Sequence, residues 1–66
     1  MKITLNGQEH TVQADARLGE LLQTLDLQGK RIAVEVNREI VPRSEHEHFK
    51  LNESDTVEIV NAIGGG

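Results

Sequence analysis

The 66-residue chain has no cysteine, no tryptophan and no tyrosine, and only one phenylalanine and one proline. Without cysteine, neither a disulfide framework nor a thiolate metal site is available. No apolar run approaches the roughly 20 residues of a membrane span, and no charged-then-apolar leader precedes the first strand-like segment. A soluble, cytoplasmic protein is the expectation. Positive charge is also scarce: seven basic side chains face eleven acidic ones, a net charge of −4, which disfavours nucleic acid as a partner. Size is the last shortage. A domain of about 60 residues buries only about 60% of the surface its unfolded chain exposes. With 36% hydrophobic residues, nearly all aliphatic, a core can form, but it leaves little room for an enclosed pocket of roughly 300–1,000 Å³. These absences favour a binding module or a carrier over a self-sufficient enzyme.

What charge there is lies unevenly. Residues 1–44 carry Lys2, Arg17, Lys30, Arg31, Arg38 and Arg43 against Glu9, Asp15, Glu20, Asp26, Glu35 and Glu39, and balance. Residues 45–66 carry Glu45, Glu47, Glu53, Asp55 and Glu58 against Lys50 alone, so the whole net charge sits there. A one-sided field of this kind steers a basic partner or keeps one face soluble.

The chain begins with period-two alternation: Met1, Ile3 and Leu5 are apolar between Lys2 and Thr4, the pattern of a half-buried strand. Asn6-Gly7 is a hairpin signal, and a return strand is predicted over about Glu9 to Gln13, with His10 and Val12 on the face of Ile3 and Leu5. Asp15 is the predicted helix cap, with Ala16 the first helical residue. Leu18, Leu21, Leu22 and Leu25 then form one apolar stripe, and Gly29 is the predicted stop. A helix of about 11 residues does not persist alone, so its stripe must bury against a sheet. Ile32, Val34 and Val36 predict a third strand, Asn37-Arg38 a turn, and Glu39-Ile40-Val41 a short strand that Pro42 confines to an edge. Residues 43–55 read as a polar, irregular loop anchored by Phe49 and Leu51. Thr56 to Val60 is the last strand, with Val57 and Ile59 on one face. The order β-β-α-β-β predicts an α+β domain: a mixed sheet of four to five strands with one helix across one face. It occupies residues 1–60, followed by a glycine tail over 61–66.

The tail, Asn61-Ala62-Ile63-Gly64-Gly65-Gly66, is where the chemistry points. Three consecutive glycines add nothing to a fold, because glycine loses the most backbone freedom on ordering. A tail without side chains suits a narrow channel, where another protein's active site meets its carboxylate away from water. A free carboxylate is a poor electrophile, so such a site would first activate it as an acyl-adenylate at the expense of ATP. A sulfur nucleophile then displaces AMP to leave a thiocarboxylate on Gly66; an amine nucleophile instead makes the chain a protein modifier. In both cases the catalytic groups belong to the partner, and this chain binds no cofactor of its own.

The whole chain resembles the ThiS family of sulfur carriers in thiamine biosynthesis. The resemblance rests on its length and on the leucine-rich segment Leu18-Gly19-Glu20-Leu21-Leu22. It rests also on Val34-Glu35-Val36-Asn37 followed by Ile40-Val41-Pro42-Arg43, on Asp55 before the last strand, and on the glycine tail. That family is β-grasp and ubiquitin-like, and ends in diglycine. The resemblance implies adenylation by a ubiquitin-activating-like (ThiF-like) enzyme and sulfur supply by a donor such as a cysteine desulfurase or an oxidase partner. It further implies delivery to a ThiG-like thiazole synthase. The family's working residues map onto Gly65 and Gly66; Gly64 extends the pair to a triplet. Three other readings stay open: the small subunit of molybdopterin synthase, a ubiquitin-like modifier, and a plain β-grasp interaction domain, since fold alone does not fix function.

Remaining candidates are weaker. His46 and His48 flank Glu47 in an acidic segment; two imidazoles without a third ligand are thin as a metal site, and a solvated loop is the expectation. His10 reads as a packing residue. Arg43 either meets acidic groups of a partner or braces the loop through Glu45. Val60, Ala62 and Ile63 lead into the tail, and parity places Val60 opposite Val57 and Ile59, on an exposed face where partners would dock.

Overall fold

The structure, a computed structural model, describes residues 1–61. Strands β1 (Lys2–Leu5) and β2 (Gln8–Thr11) form an antiparallel hairpin with Ile3 opposite His10. Asn6 and Gly7 have φ of 49° and 83°, the two-residue turn whose twist matches the strands it joins. The return strand thus starts and ends slightly before the predicted Glu9 to Gln13. His10 sits on the core side, as expected, and is half-buried.

Helix α1 (Leu18–Thr24) is shorter than predicted at both ends. Asp15 is not its cap and Ala16 is not helical; Arg17 is the N-cap, and its N–H donates to the Glu20 side chain at 2.8 Å. The backbone of Ala16 to Leu18 is already committed elsewhere. Leu51 N–H donates to Ala16 O at 3.0 Å, Arg17 forms a β-bridge with Lys50, and Leu18 N–H donates to Phe49 O at 2.8 Å. At the other end the stop is Asp26 rather than Gly29. Asp26 has φ of 60°, and bonds from Leu27 N–H to Leu22 O (2.8 Å) and from Asp26 N–H to Gln23 O (3.0 Å) close a Schellman motif. Gly29, with φ of 80°, serves a second turn that follows.

Strand β3 (Ile32–Val36) turns through Asn37 and Arg38, both at positive φ, into β4 (Glu39–Ile40). Pro42 then begins a single 3-10 turn, Arg43–Glu45. Leu51 is buried and Phe49 half-buried, so both anchor the following loop as predicted. His46 departs from the expectation of a solvated loop. Its ring is buried, with Nε2 3.1 Å from Val41 O, and its own carbonyl accepts from Gly19 N–H at 2.8 Å. His48 is exposed. A polar flanking sequence hid a residue that ties this loop to α1.

Strand β5 (Thr56–Asn61) runs through the middle of the sheet, whose order is β2-β1-β5-β3-β4. It is parallel to β1 and antiparallel to β3. Leu18, Leu21 and Leu22 cover one face and join Ile3, Val34, Val36, Val57 and Ile59 in a single core. Each such side chain contributes about 1.5–3 kcal/mol when fully buried. The predicted α+β arrangement, a five-stranded mixed sheet with one helix across one face, is what forms. No helix among the described residues is long and apolar enough to cross a membrane.

Candidate functional site: the end of β5 and the open sheet face

Because Val57 and Ile59 point into the core, Glu58 and Val60 point to the other side of the sheet. Val60 is 57% exposed, as parity predicted. The neighbours that pairing brings to it are not adjacent in sequence. Ala33 lies directly opposite Val60, and Glu58 lies opposite Glu35, which in turn lies opposite Ile40. Ile40 is 63% exposed, and these two are the large hydrophobic side chains left most open to solvent among the described residues. The open face therefore carries Val60, Ala33 and Ile40 around two opposed carboxylates. The one ion pair among the described residues, Lys2 with Glu9 at 3.7 Å, lies elsewhere, so no cation neutralises Glu35 or Glu58 there. Like charges directly opposite on neighbouring strands cost stability, so this pairing has no rationale in the fold.

Two polar clamps hold β5 in place. Asn6, at the hairpin tip, accepts a 2.8 Å bond from Ile59 N–H through Oδ1. Asp55, buried just before β5, accepts from Asn37 Nδ2 at 3.0 Å and from Asn52 N–H at 2.8 Å, while Asn37 Oδ1 accepts from Thr56 N–H at 2.9 Å. Asn6 and Asn37 are both turn residues at positive φ. One residue in each case makes the turn and fixes the strand from which the tail departs.

Asn61, the first residue of the expected tail, ends β5 opposite Ile32. Ala62, Ile63, Gly64, Gly65 and Gly66 lie outside the described residues. Arg43 is exposed at the start of the 3-10 turn and makes no ion pair with Glu45; the bracing role considered for it is not realised. It lines a small concavity of about 130 Å³ with Lys30, Ile32 and His46, on the helix side of the sheet rather than beside Val60. Among the described residues no three His, Cys, Asp or Glu side chains form a group able to hold a metal ion. Asn6 was expected only as a turn residue, and Ile40, Glu35 and Glu58 carry no sequence signal of a site. Period-two alternation gives each strand's outward residues, but only strand order puts Ile40, Glu35 and Glu58 in one row.

Comparisons with known proteins agree with this architecture. The ThiS family model matches residues 3–66. The chain is 41% identical over 66 residues to a thiazole synthase of Paramagnetospirillum magneticum, covering all of this chain but 20% of that protein. It thus spans about a fifth of the length of the first curated relatives it matches. It is 32% identical over 65 residues to the sulfur carrier protein ThiS of Bacillus subtilis, covering 97% of this chain and 98% of the relative. The crystal structure of the thiamine biosynthesis protein ThiS from Geobacter metallireducens superposes with a TM-score of 0.86 at 32% identity, covering all of both chains. With the glycine tail inside the matched region and the whole fold shared, the chain belongs to the ThiS family.

Proposed function

We propose that this protein carries sulfur for assembly of the thiazole ring of thiamine, and that Gly66 is the residue that carries it. The carboxylate of Gly66 attacks the α-phosphorus of ATP in a ubiquitin-activating-like enzyme; pyrophosphate leaves and an acyl-adenylate forms. A sulfur nucleophile from a donor such as a cysteine desulfurase or an oxidase partner adds to the acyl carbon and AMP leaves. Where that sulfur arrives as a persulfide, a thiol then cleaves the S–S bond of the acyl disulfide, so that a thiocarboxylate remains. That sulfur is passed to a thiazole synthase. The protein is a co-substrate and not an enzyme, since each catalytic group in this scheme lies in a partner. The observation that carries the reading is the family match running through to Gly66 on a body with the fold of ThiS. The relatives named thiazole synthase support the choice of acceptor, because their similarity covers this entire chain as a part of a longer protein.

The open sheet face supplies the docking surface in this scheme. Val60, with Ala33 and Ile40, offers the apolar contact, and Glu35 with Glu58 offers the charge, so the matching patch on a partner is aliphatic with Arg or Lys at its centre. In the same scheme Ala62 and Ile63 are further contacts for the partner, and Gly64 to Gly66 enter its active site. Arg43 is a separate contact, away from this face.

Intact mass after incubation with a thiamine-pathway adenylating enzyme, ATP and a sulfur source tests the reading. A gain equal to replacing one oxygen by sulfur, lost on deleting Gly65 and Gly66, is the expected result. An unchanged mass with a competent enzyme sinks it, and lysine conjugates of higher mass in cells would identify a modifier instead.

A further inference from the structure

A larger concavity than the one beside Arg43 is lined by no described residue of β5. It is an open-sided groove of about 490 Å³ between β2 and α1, on the helix side of the sheet and so on the opposite face from Val60. It has the volume of a ligand pocket, which composition did not suggest, but one wall is a strand at the edge of the sheet.

The hydrogen-bond pattern of β2 decides what that wall presents. Met1 and Val12 exchange both backbone bonds at 2.8 Å. Alternation along the antiparallel register makes Ile3–His10 and Leu5–Gln8 the other bonded pairs. Glu9 and Thr11 therefore aim their N–H and C=O groups away from β1, over the open edge. No other described backbone group meets them. Edges of this kind are usually blunted by charged side chains, proline or a covering element; Gln8–Thr11 carries one charge, Glu9, and neither lysine nor proline. Side chains of the groove are of two kinds. Val12, Ala16 and Leu21 form an apolar floor; Glu20 is the single formally charged lining residue, and neither lysine nor arginine lines the groove.

We propose that this groove is a docking site for an extended segment of a partner protein, which adds to β2 as a sixth strand of the five-stranded sheet. The main chain of that segment bonds to Glu9 and Thr11, alternate aliphatic side chains enter the groove, and a lysine or arginine faces Glu20. Edge addition of this type takes affinity from main-chain bonds and specificity from alternate side chains. Because the groove and the open sheet face lie on opposite sides, the carrier is able to hold this partner while a second one occupies its tail. The site stands without the sulfur-carrier reading, since none of its residues belongs to the tail.

The test is an amide-proton NMR titration of the full chain with the synthetic peptide acetyl-Arg-Val-Thr-Val-Thr-Val-Arg-amide. Shifts concentrated at Glu9, Thr11, Val12, Ala16 and Leu21 are expected, with slowed exchange of the Glu9 and Thr11 amides. Thr11→Pro removes an outward donor without touching the β1–β2 ladder, a position where an edge strand accepts proline. Its affinity for the peptide should fall by about tenfold, the worth of a lost backbone bond and the contacts around it. Glu20→Gln keeps an oxygen for the Arg17 N–H while removing the charge. It should weaken the arginine peptide severalfold and leave a peptide with serine in place of arginine unchanged. Absence of shifts at millimolar peptide, or shifts confined to the open sheet face, overturns the proposal. So does equal affinity in both variants. Shifts of Glu9 and Thr11 that depend on protein concentration without peptide assign the edge to a second copy of the chain, and also overturn it.

Discussion

Asn6 does two jobs that different substitutions separate. Its backbone holds φ at 49° in the hairpin turn, and its Oδ1 accepts the Ile59 N–H at 2.8 Å. Asn6→Gly keeps the turn, because glycine adopts positive φ freely, but leaves the Ile59 donor unpaired. A loss of about 1 kcal/mol in urea unfolding is expected. Asn6→Ala adds the left-handed penalty of about 1–2 kcal/mol on top. No loss in the glycine variant would mean that the side-chain bond carries nothing, and equal losses in both would mean that the turn imposes no strain. If Gly66 works as proposed, the glycine variant should also slow adenylation more than its stability loss explains, since the exit of β5 is less fixed. Asp55 and Asn37 act in the same way at the other end of the strand: a buried carboxylate receives two donors and leaves no buried side-chain polar atom unpaired among the described residues.

At the scale of elements, α1 is defined by what its ends are bonded to. Gly19 looks like a weak point in a helix, and helix propensity alone makes Gly19→Ala a gain of up to about 1 kcal/mol. The packing says otherwise. A Cβ there would lie 3.0 Å from Glu47 Cα, a backbone atom held by the Gly19–His46 bond. Overpacking of that kind costs about 1–3 kcal/mol, so thermal unfolding should show Gly19→Ala destabilised; a raised Tm would refute the close approach. Asp26→Gly has the opposite sign. It relieves a left-handed aspartate with φ of 60° on the surface and should stabilise by about 0.5–1 kcal/mol in urea unfolding, whereas a loss would mean the Asp26 side chain contributes to the cap. These two residues also mark how far the sequence was legible. The leucine stripe and the alternation of Ile32–Val36 and Thr56–Val60 disclose elements, faces and core, because burial imposes periodicity. Helix ends are not periodic. Asp15 and Gly29 carry good local signals, but bonds from residues 49–51 claim the backbone near Ala16, and Asp26 turns the chain earlier. His46 escaped for the same reason: its neighbours are polar, and only the loop's position against Gly19 and Val41 buries it. The open sheet face was the least legible part of the candidate site, since strand order assembles that face.

For the whole molecule, the open face is where stability and partner binding pull in opposite directions. Glu35 and Glu58 stand opposite each other and make no ion pair among the described residues, and Val60, Ala33 and Ile40 around them are aliphatic. Glu58→Gln removes the repulsion at constant shape, so the fold should gain on the order of 0.5 kcal/mol in urea unfolding. The same change removes half the charge proposed to meet a basic partner. Its association with the proposed adenylating enzyme should slow, and the rate should depend less on ionic strength than that of the unaltered chain. Val60→Asp provides the contrast. It leaves the core untouched, because Val60 is exposed, yet it places a third carboxylate on the face and removes the apolar contact, so affinity falls through faster dissociation. Stopped-flow association over a range of salt separates the two effects. A Glu58→Gln protein that is more stable and associates as fast as the original would mean that the opposed carboxylates serve neither fold nor this partner. Slower association with a flattened salt dependence would place the charge of this face in the encounter itself, with the apolar residues acting once contact is made.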